Sequence, residues 1–277
     1  MTNHASSPPL LIALSGPTSS GKTTVATALT SIFPPTTTRF TLVHADDFYK
    51  PDSAIPLHST AGVQDWDCAG AIDIPRFRQT LQHIRNGGSL PDDLVRQGGV
   101  EDGVHATSSS SSSAQDQNKT GRVSEGCVAR LRDGVKAWLP EESRSIVLVE
   151  GFLLFGEGVR EELGRLFDLA VLLRATRANA GRRRASRNGY VTLEGFWQDP
   201  PGYFEDVVWQ NYVKEHGYLF KNGDVEGDAA VKRTEGEMKE VKIGPVGDVG
   251  LDVVCEWVVG CIRETVVAEA RHGESED

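Results

Sequence analysis

The chain has 277 residues, 39 of them acidic and 29 basic, for a formal net charge of −10. That length suits one large domain whose core needs no disulfide or metal staple, and the acidic balance argues against a general nucleic-acid binder. No stretch nears the ~20 apolar residues of a membrane span, and the start, MTNHASSPPLL, shows no secretory signal.

The four cysteines, Cys68, Cys127, Cys255 and Cys261, are scattered and form no CxxC pair. They read as free thiols of a reducing compartment, so a cytoplasmic location, with the nucleus as a second, is expected.

Residues 10–15, LLIALS, predict a buried parallel strand. GPTSSGKT follows at once and opens a helical pattern, TVATALTSIF, that stops at Pro34-Pro35. Strand, glycine loop and helix in this order are the context a phosphate loop requires. The glycines let the backbone curl so that its N–H groups face an anion, and the helix adds its positive end. Gly16, Ser19, Ser20, Gly21, Lys22, Thr23 and Thr24 are therefore candidate nucleotide contacts. Lys22 can reach the β and γ phosphates, and the Thr23 hydroxyl can bind Mg²⁺.

A second strand is predicted over residues 40–45 and ends in Asp46-Asp47-Phe48. In parallel α/β sheets the ligand crevice lies at the carboxyl ends of the strands. Asp46 is thus placed to accept a hydroxyl proton or to hold Mg²⁺; alternatively the two aspartates cap a turn before Pro51. Residues 73–85 read as a helix, with Ile74, Phe77, Leu81 and Ile84 at helical spacing. From about 87 to 145 the periodicity fades, and the serine run at 108–113 marks residues 95–125 as an insertion unable to offset its ordering entropy.

A third strand at 145–149 runs into Glu150, a candidate second carboxylate at the metal site, and a fourth is expected at 169–173. Arg174, Arg177, Arg182, Arg183, Arg184 and Arg187 then fall within one predicted helix and its exit. Two or three of them are expected to neutralise charge on a transferred phosphoryl group, and the alternative is a solvated face. The aromatic and proline-rich residues 190–204 suggest a rigid lid or a core-covering loop, and residues 222–240 a variable loop. Strands alternating with helices predict one α/β domain over the whole chain. Its parallel β-sheet is flanked by helices on both faces, with an arginine-rich lid and a small substrate-binding excursion at 50–86.

GPTSSGKTT, HADDFYKP, Asp65-Trp66-Asp67, VEGFLLF, RRRASR and DPPGYFEDVVW together resemble the nicotinamide riboside kinases, most closely the fungal-type members. These belong to the uridine kinase and pantothenate kinase branch of phosphate-loop kinases. The extra residues between Arg187 and Pro200 depart from the shorter members. The resemblance implies ATP and Mg²⁺ as cofactors and a small nucleoside as substrate. It implies 5′-phosphorylation of nicotinamide riboside, with nicotinic acid riboside alongside it. Asp46 would be the general base beside the metal, with Lys22 also catalytic and Thr23, Asp46 and Glu150 around Mg²⁺. Asp67 and Arg184 would hold the ribose hydroxyls, with Asp47 and Phe48 nearby. Trp66, where the family has a tyrosine, and Tyr190 would sandwich the base. Arg183 and Arg187 would reach the ATP phosphates, and adenine would rest near residues 246–248. An aromatic face stabilises a pyridinium by roughly 0.5–2 kcal/mol, and Trp is the strongest such face. A uridine- or cytidine-type kinase and a non-catalytic nucleotide-binding regulator remain the alternatives, and the oligomeric state is open.

Overall fold

The computed structural model describes residues 8–33, 40–91, 94, 121–139, 145–230, 238–245 and 249–273. In chain order the elements are β1 (Leu10–Ser15), α1 (Lys22–Ile32), β2 (Phe40–His44), α2 (Ile74–Arg85), α3 (Glu125–Lys136), β3 (Ile146–Glu150), α4 (Glu157–Leu163) and β4 (Leu169–Leu172). There follow α5 (Arg177–Ala185), β5 (Tyr190–Val191), β6 (Phe196–Trp197), α6 (Trp209–His216), β7 (Val241–Ile243) and α7 (Leu251–Gly273). A π-helical turn, Phe204–Val208, leads into α6.

Five strands pair in the order β2-β3-β1-β4-β7, all parallel. Side chains alternate between faces along each strand, and the core follows that period. Leu11, Ala13, Val147, Val149, Ala170 and Leu172 pack with α2, α4 and α6 on one face. Leu10, Ile12, Leu14, Ile146, Leu148 and Val171 pack with α1, α3 and α7 on the other. The three central strands β1, β3 and β4 are fully buried and apolar at nearly every position, as a sheet covered on both sides demands.

One difference concerns α3, which lies where the periodicity of the sequence fades. The Ser124 hydroxyl caps it, accepting from the Cys127 N–H at 3.2 Å. Val128, Leu131 and Val135 turn toward the core and Cys127 is buried, but Gly126 and Gly134 weaken the helical signal of the sequence. The cap and Glu125 overlap the end of the expected insertion, whose residues 95–120 lie outside the described ones. A second difference is β7, a fifth strand too short for its pattern to show. Glu150 is the last residue of β3 rather than the first after it.

Chain order and sheet order together locate the crevice. β3 and β4 flank β1 on opposite sides, so the winding reverses at β1, and ligands bind where such a sheet reverses, beyond the strands' carboxyl ends. Gly16, Asp46 and Glu150 all lie at those ends. Among the described residues no helix is long and apolar enough to cross a membrane.

Candidate active site

The loop after β1 curls through three positive φ angles, at Gly16 (152°), Ser19 (58°) and Gly21 (93°). Conformation favours glycine at Gly16 and Gly21, and at Gly16 the backbone also leaves no room for a side chain. A Cβ on Gly16 would lie 2.7 Å from the Leu173 carbonyl oxygen, and one on Gly21 2.6 Å from Leu251 Cδ2. Lys22 starts α1, and its buried ammonium donates to the carbonyls of Gly16 (3.0 Å) and Pro17 (2.9 Å). Thr23 and Thr24 stand half-buried in the first turn of α1. The Ser19 and Ser20 hydroxyls are buried with no hydrogen-bond partner. Buried polar groups are almost always paired, so two orphan hydroxyls in a curled loop at a helix N-terminus fit a phosphate.

Below the loop lies an acidic group. The Thr23 hydroxyl donates to Glu150 Oε1 at 3.1 Å, and His44 Nδ1 lies 2.8 Å from the same oxygen. That hydrogen bond raises the His44 pKa. Asp46 sits in the short turn after β2. Its side chain is open to the crevice, yet desolvation by the protein around it, with the charge of Glu150 beside it, pushes its carboxyl up to about 6. Burial lowers Lys22 to about 8, against the pull of Glu150 and Asp46, while the charge of Arg187 pushes the same way as burial. Asp47 is buried in the same turn. Phe48, expected among the substrate contacts, is fully buried and stacks on Phe77 at 4.1 Å, so it seats the Asp46 turn on α2. No three His, Cys, Asp or Glu side chains among the described residues form a metal cage.

The second half of the site is built around Arg184, on the last turn of α5 and 7% exposed. Its guanidinium donates to Asp67 at 3.1 and 3.3 Å, and to Asp199 at 2.6 and 3.0 Å. One further bond, 3.3 Å to the Thr18 hydroxyl, ties it to the phosphate loop. Burial works against the Arg184 charge, yet Asp67 and Asp199 hold its pKa well above the ordinary value. Burial raises Asp67, and Arg184 only partly restrains it. The neighbouring Arg183 donates to the Ser19 carbonyl at 3.2 Å, which lays α5 across the loop.

Trp66 is 8% exposed and lies among aromatic rings, with Tyr49 at 5.6 Å and Trp197 at 5.9 Å between centroids. Its backbone N–H donates to the Tyr203 hydroxyl at 3.0 Å. Tyr190 lies against the guanidinium groups of Arg184 and Arg187, at 5.0 and 5.6 Å from its ring centroid. The expected adenine contacts at 246–248 fall outside the described residues.

The structure thus gathers Lys22, Thr23, Asp46 and Glu150 at one centre and Trp66, Asp67, Arg184 and Tyr190 at another, bridged by Thr18. Sequence reading did not assign Thr18, His44, Trp197, Asp199 or Tyr203. Signals for them existed. His44 stands two residues before Asp46, and Asp199 and Tyr203 lie in the DPPGYF segment.

No family model matches the chain. It is 33% identical over 257 residues to the nicotinamide riboside kinase of Schizosaccharomyces pombe, covering 91% of this chain and 96% of that protein. It is 36% identical over 221 residues to the nicotinamide riboside kinase of Saccharomyces cerevisiae, covering 79% and 82%. The Eremothecium gossypii enzyme of the same name is 36% identical over 217 residues, covering 78% and 80%. With a third of its residues shared over nearly the full length of such a relative, the chain belongs to the nicotinamide riboside kinase family.

Proposed function

We propose that the chain transfers the γ-phosphoryl group of ATP to the 5′-hydroxyl of nicotinamide riboside, giving nicotinamide mononucleotide for NAD synthesis. The observation that carries this reading is the Arg184 bridge. One guanidinium spans the phosphate loop through Thr18 and the nucleoside half through Asp67. It brings an acceptor hydroxyl up to the phosphoryl donor, and such proximity is a large part of phosphoryl-transfer catalysis.

Asp46 accepts the 5′-hydroxyl proton. With its carboxyl raised to about 6 by desolvation and Glu150, it is ionised at neutral pH yet basic enough to take a proton. Lys22, at about 8, still carries most of its charge at pH 7 and offsets charge on the phosphates. Arg183 on α5 and Arg187 just beyond its end do the same. Asp67 and Arg184 hold the ribose diol, with Asp47 buried close by, and Trp66 packs on the base. Thr23, Asp46 and Glu150 would hold Mg²⁺, which supplies charge neutralisation on the β and γ phosphates. The described cysteines are all free thiols, which suits the cytoplasm or nucleus.

A panel of nucleosides with ATP tests the reading: nicotinamide riboside, nicotinic acid riboside, uridine and cytidine, with ADP formation as readout. Turnover of the pyridine ribosides is expected. Selectivity for uridine overturns the substrate, and no ADP formation with any of them overturns catalysis.

A further inference from the structure

His44 is the last residue of β2 and Glu150 the last of β3, and the two stand directly opposite each other in the parallel register. The strand ends approach closely here. A Cβ on Gly151 would lie 2.4 Å from Ala45 Cβ, so the glycine after Glu150 lets the two ends close. His44 Nδ1 then lies 2.8 Å from Glu150 Oε1, and the Thr23 hydroxyl donates to the same oxygen at 3.1 Å. The Glu150 side chain is 6% exposed and that of His44 28%, so the contact is largely shielded from water.

The chemistry of the three groups orders them. A carboxylate only accepts hydrogen bonds, so Nδ1 carries the hydrogen in the His44 contact. Both bonds fall on Oε1, and the lone pairs of Oε2 stay available to a metal ion or to the water bound on it. The Thr23 hydroxyl spends its single hydrogen on Glu150, so its own lone pairs are what it offers a cation. Glutamate has three side-chain torsions, and Thr23 restrains them through one bond only. His44 adds a second, shorter bond from the sheet itself, whereas Thr23 belongs to α1 behind the phosphate loop.

We propose that His44 is a positioning residue of the metal site: it anchors Glu150 Oε1, so that the carboxylate and the Thr23 hydroxyl are aimed together before Mg²⁺ and ATP arrive. The inference rests on the reading of this centre as one for ATP and Mg²⁺, and not on which nucleoside accepts the phosphoryl group. Groups that orient a metal-binding carboxylate set metal affinity, and their loss costs about 10–100-fold. His44 acts through Glu150, so its loss is felt through Mg²⁺.

The test compares His44→Leu and His44→Asn in the full chain. Leucine fills the volume without a donor, whereas the asparagine amide nitrogen stands near the place of Nδ1 and can donate to Glu150. The first readout needs no turnover: calorimetric binding of the non-hydrolysable β,γ-imido analogue of ATP, with Mg²⁺ and with chelator. The wild type is expected to bind it more tightly with Mg²⁺. His44→Leu should bind it about tenfold or more weakly in Mg²⁺, yet within about twofold of wild type in chelator. The second readout is ADP formation with nicotinamide riboside. The Mg²⁺ concentration for half-maximal rate should rise about tenfold or more in His44→Leu, with the KM for the riboside changed by less than about twofold. His44→Asn should recover most of both losses. An unchanged Mg²⁺ requirement in His44→Leu overturns the proposal. So does an equal loss with and without Mg²⁺, which is what a distorted phosphate loop gives, or an asparagine variant that melts like the wild type and recovers nothing. A wild-type chain that binds the analogue no better with Mg²⁺ than without removes the metal reading, and this inference with it.

Discussion

Replacing Arg184 by methionine keeps the stem of the side chain and deletes the guanidinium, and the structure sets the size of the effect. Five hydrogen bonds disappear, two to Asp67, two to Asp199 and one to Thr18. Asp67 is left buried, its side chain 5% exposed, with no countercharge. Breaking a buried pair from one side costs about 3–5 kcal/mol, because the remaining charge stays desolvated. In a domain of this size each kcal/mol moves the melting temperature by about 2–4 °C, so a loss of roughly 6–20 °C is expected at pH 8. The pH dependence has a definite sign. Burial already raises the folded-state pKa of Asp67, and removing the guanidinium raises it further. A carboxyl raised on folding destabilises the folded state at high pH and is relieved as pH falls toward its folded pKa. The gap between wild type and Arg184→Met should therefore narrow from pH 8 to pH 5. Asp67→Asn leaves Arg184 paired with Asp199 and should cost about 1–2 kcal/mol; combined with Arg184→Met it should recover part of the loss. Thermal melts of the four proteins at both pH values provide the check. An Arg184→Met protein melting within about 2 °C of wild type at pH 8, below the shift one kcal/mol gives, or a gap that widens in acid, refutes the reasoning.

Asp46→Asn should lower turnover by about 10²–10⁴-fold without lowering the melting temperature, since the side chain is exposed and its raised pKa means the fold disfavours its charge; near-wild-type turnover with the fold intact would remove the base. In the free enzyme kcat/KM should rise through about pH 6 as Asp46 loses its proton. It should fall above about pH 8 as Lys22 loses its charge, and a profile flat from acid to alkali contradicts both roles. Gly21→Ala places a Cβ 2.6 Å from Leu251 Cδ2 on a backbone at φ 93°. About 1–3 kcal/mol of strain should open the loop and weaken the ATP-induced rise in melting temperature, and an unchanged rise would show that the loop tolerates the side chain.

The phosphate loop was legible because its physics is local. Eight consecutive residues contain the positive-φ glycines, the helix start and the lysine. Asp46 and Glu150 were legible for a related reason, since the end of a buried parallel strand is a recognisable place. Helix α3 was not, because two glycines blurred a pattern that packing against α1 and α7 completes. Arg184 was paired with Asp67 through the family resemblance alone, and its second carboxylate, Asp199, was not foreseen. Six arginines crowd that stretch, and the chosen one is identified by Asp67, 117 positions away. Phe48 shows the opposite case: a motif neighbour of Asp46 that packing turned into the core.

By itself the sequence determined that this chain is an acidic α/β protein with a nucleotide loop, and, through its motifs, which family of kinases it belongs to. Those properties rest on composition, short-range periodicity and contiguous motifs, which need no partner distant in the chain. Only the tertiary structure decided which arginine is buried between two carboxylates, which aromatic rings meet Trp66, and that one Glu150 oxygen both accepts a hydrogen bond from Thr23 and lies 2.8 Å from His44 Nδ1. Each of these depends on side chains brought together across the sheet. Burial then does what no linear pattern records. It strips water from the charges, so that their pKa values and pairings are set by whichever few groups the fold places beside them.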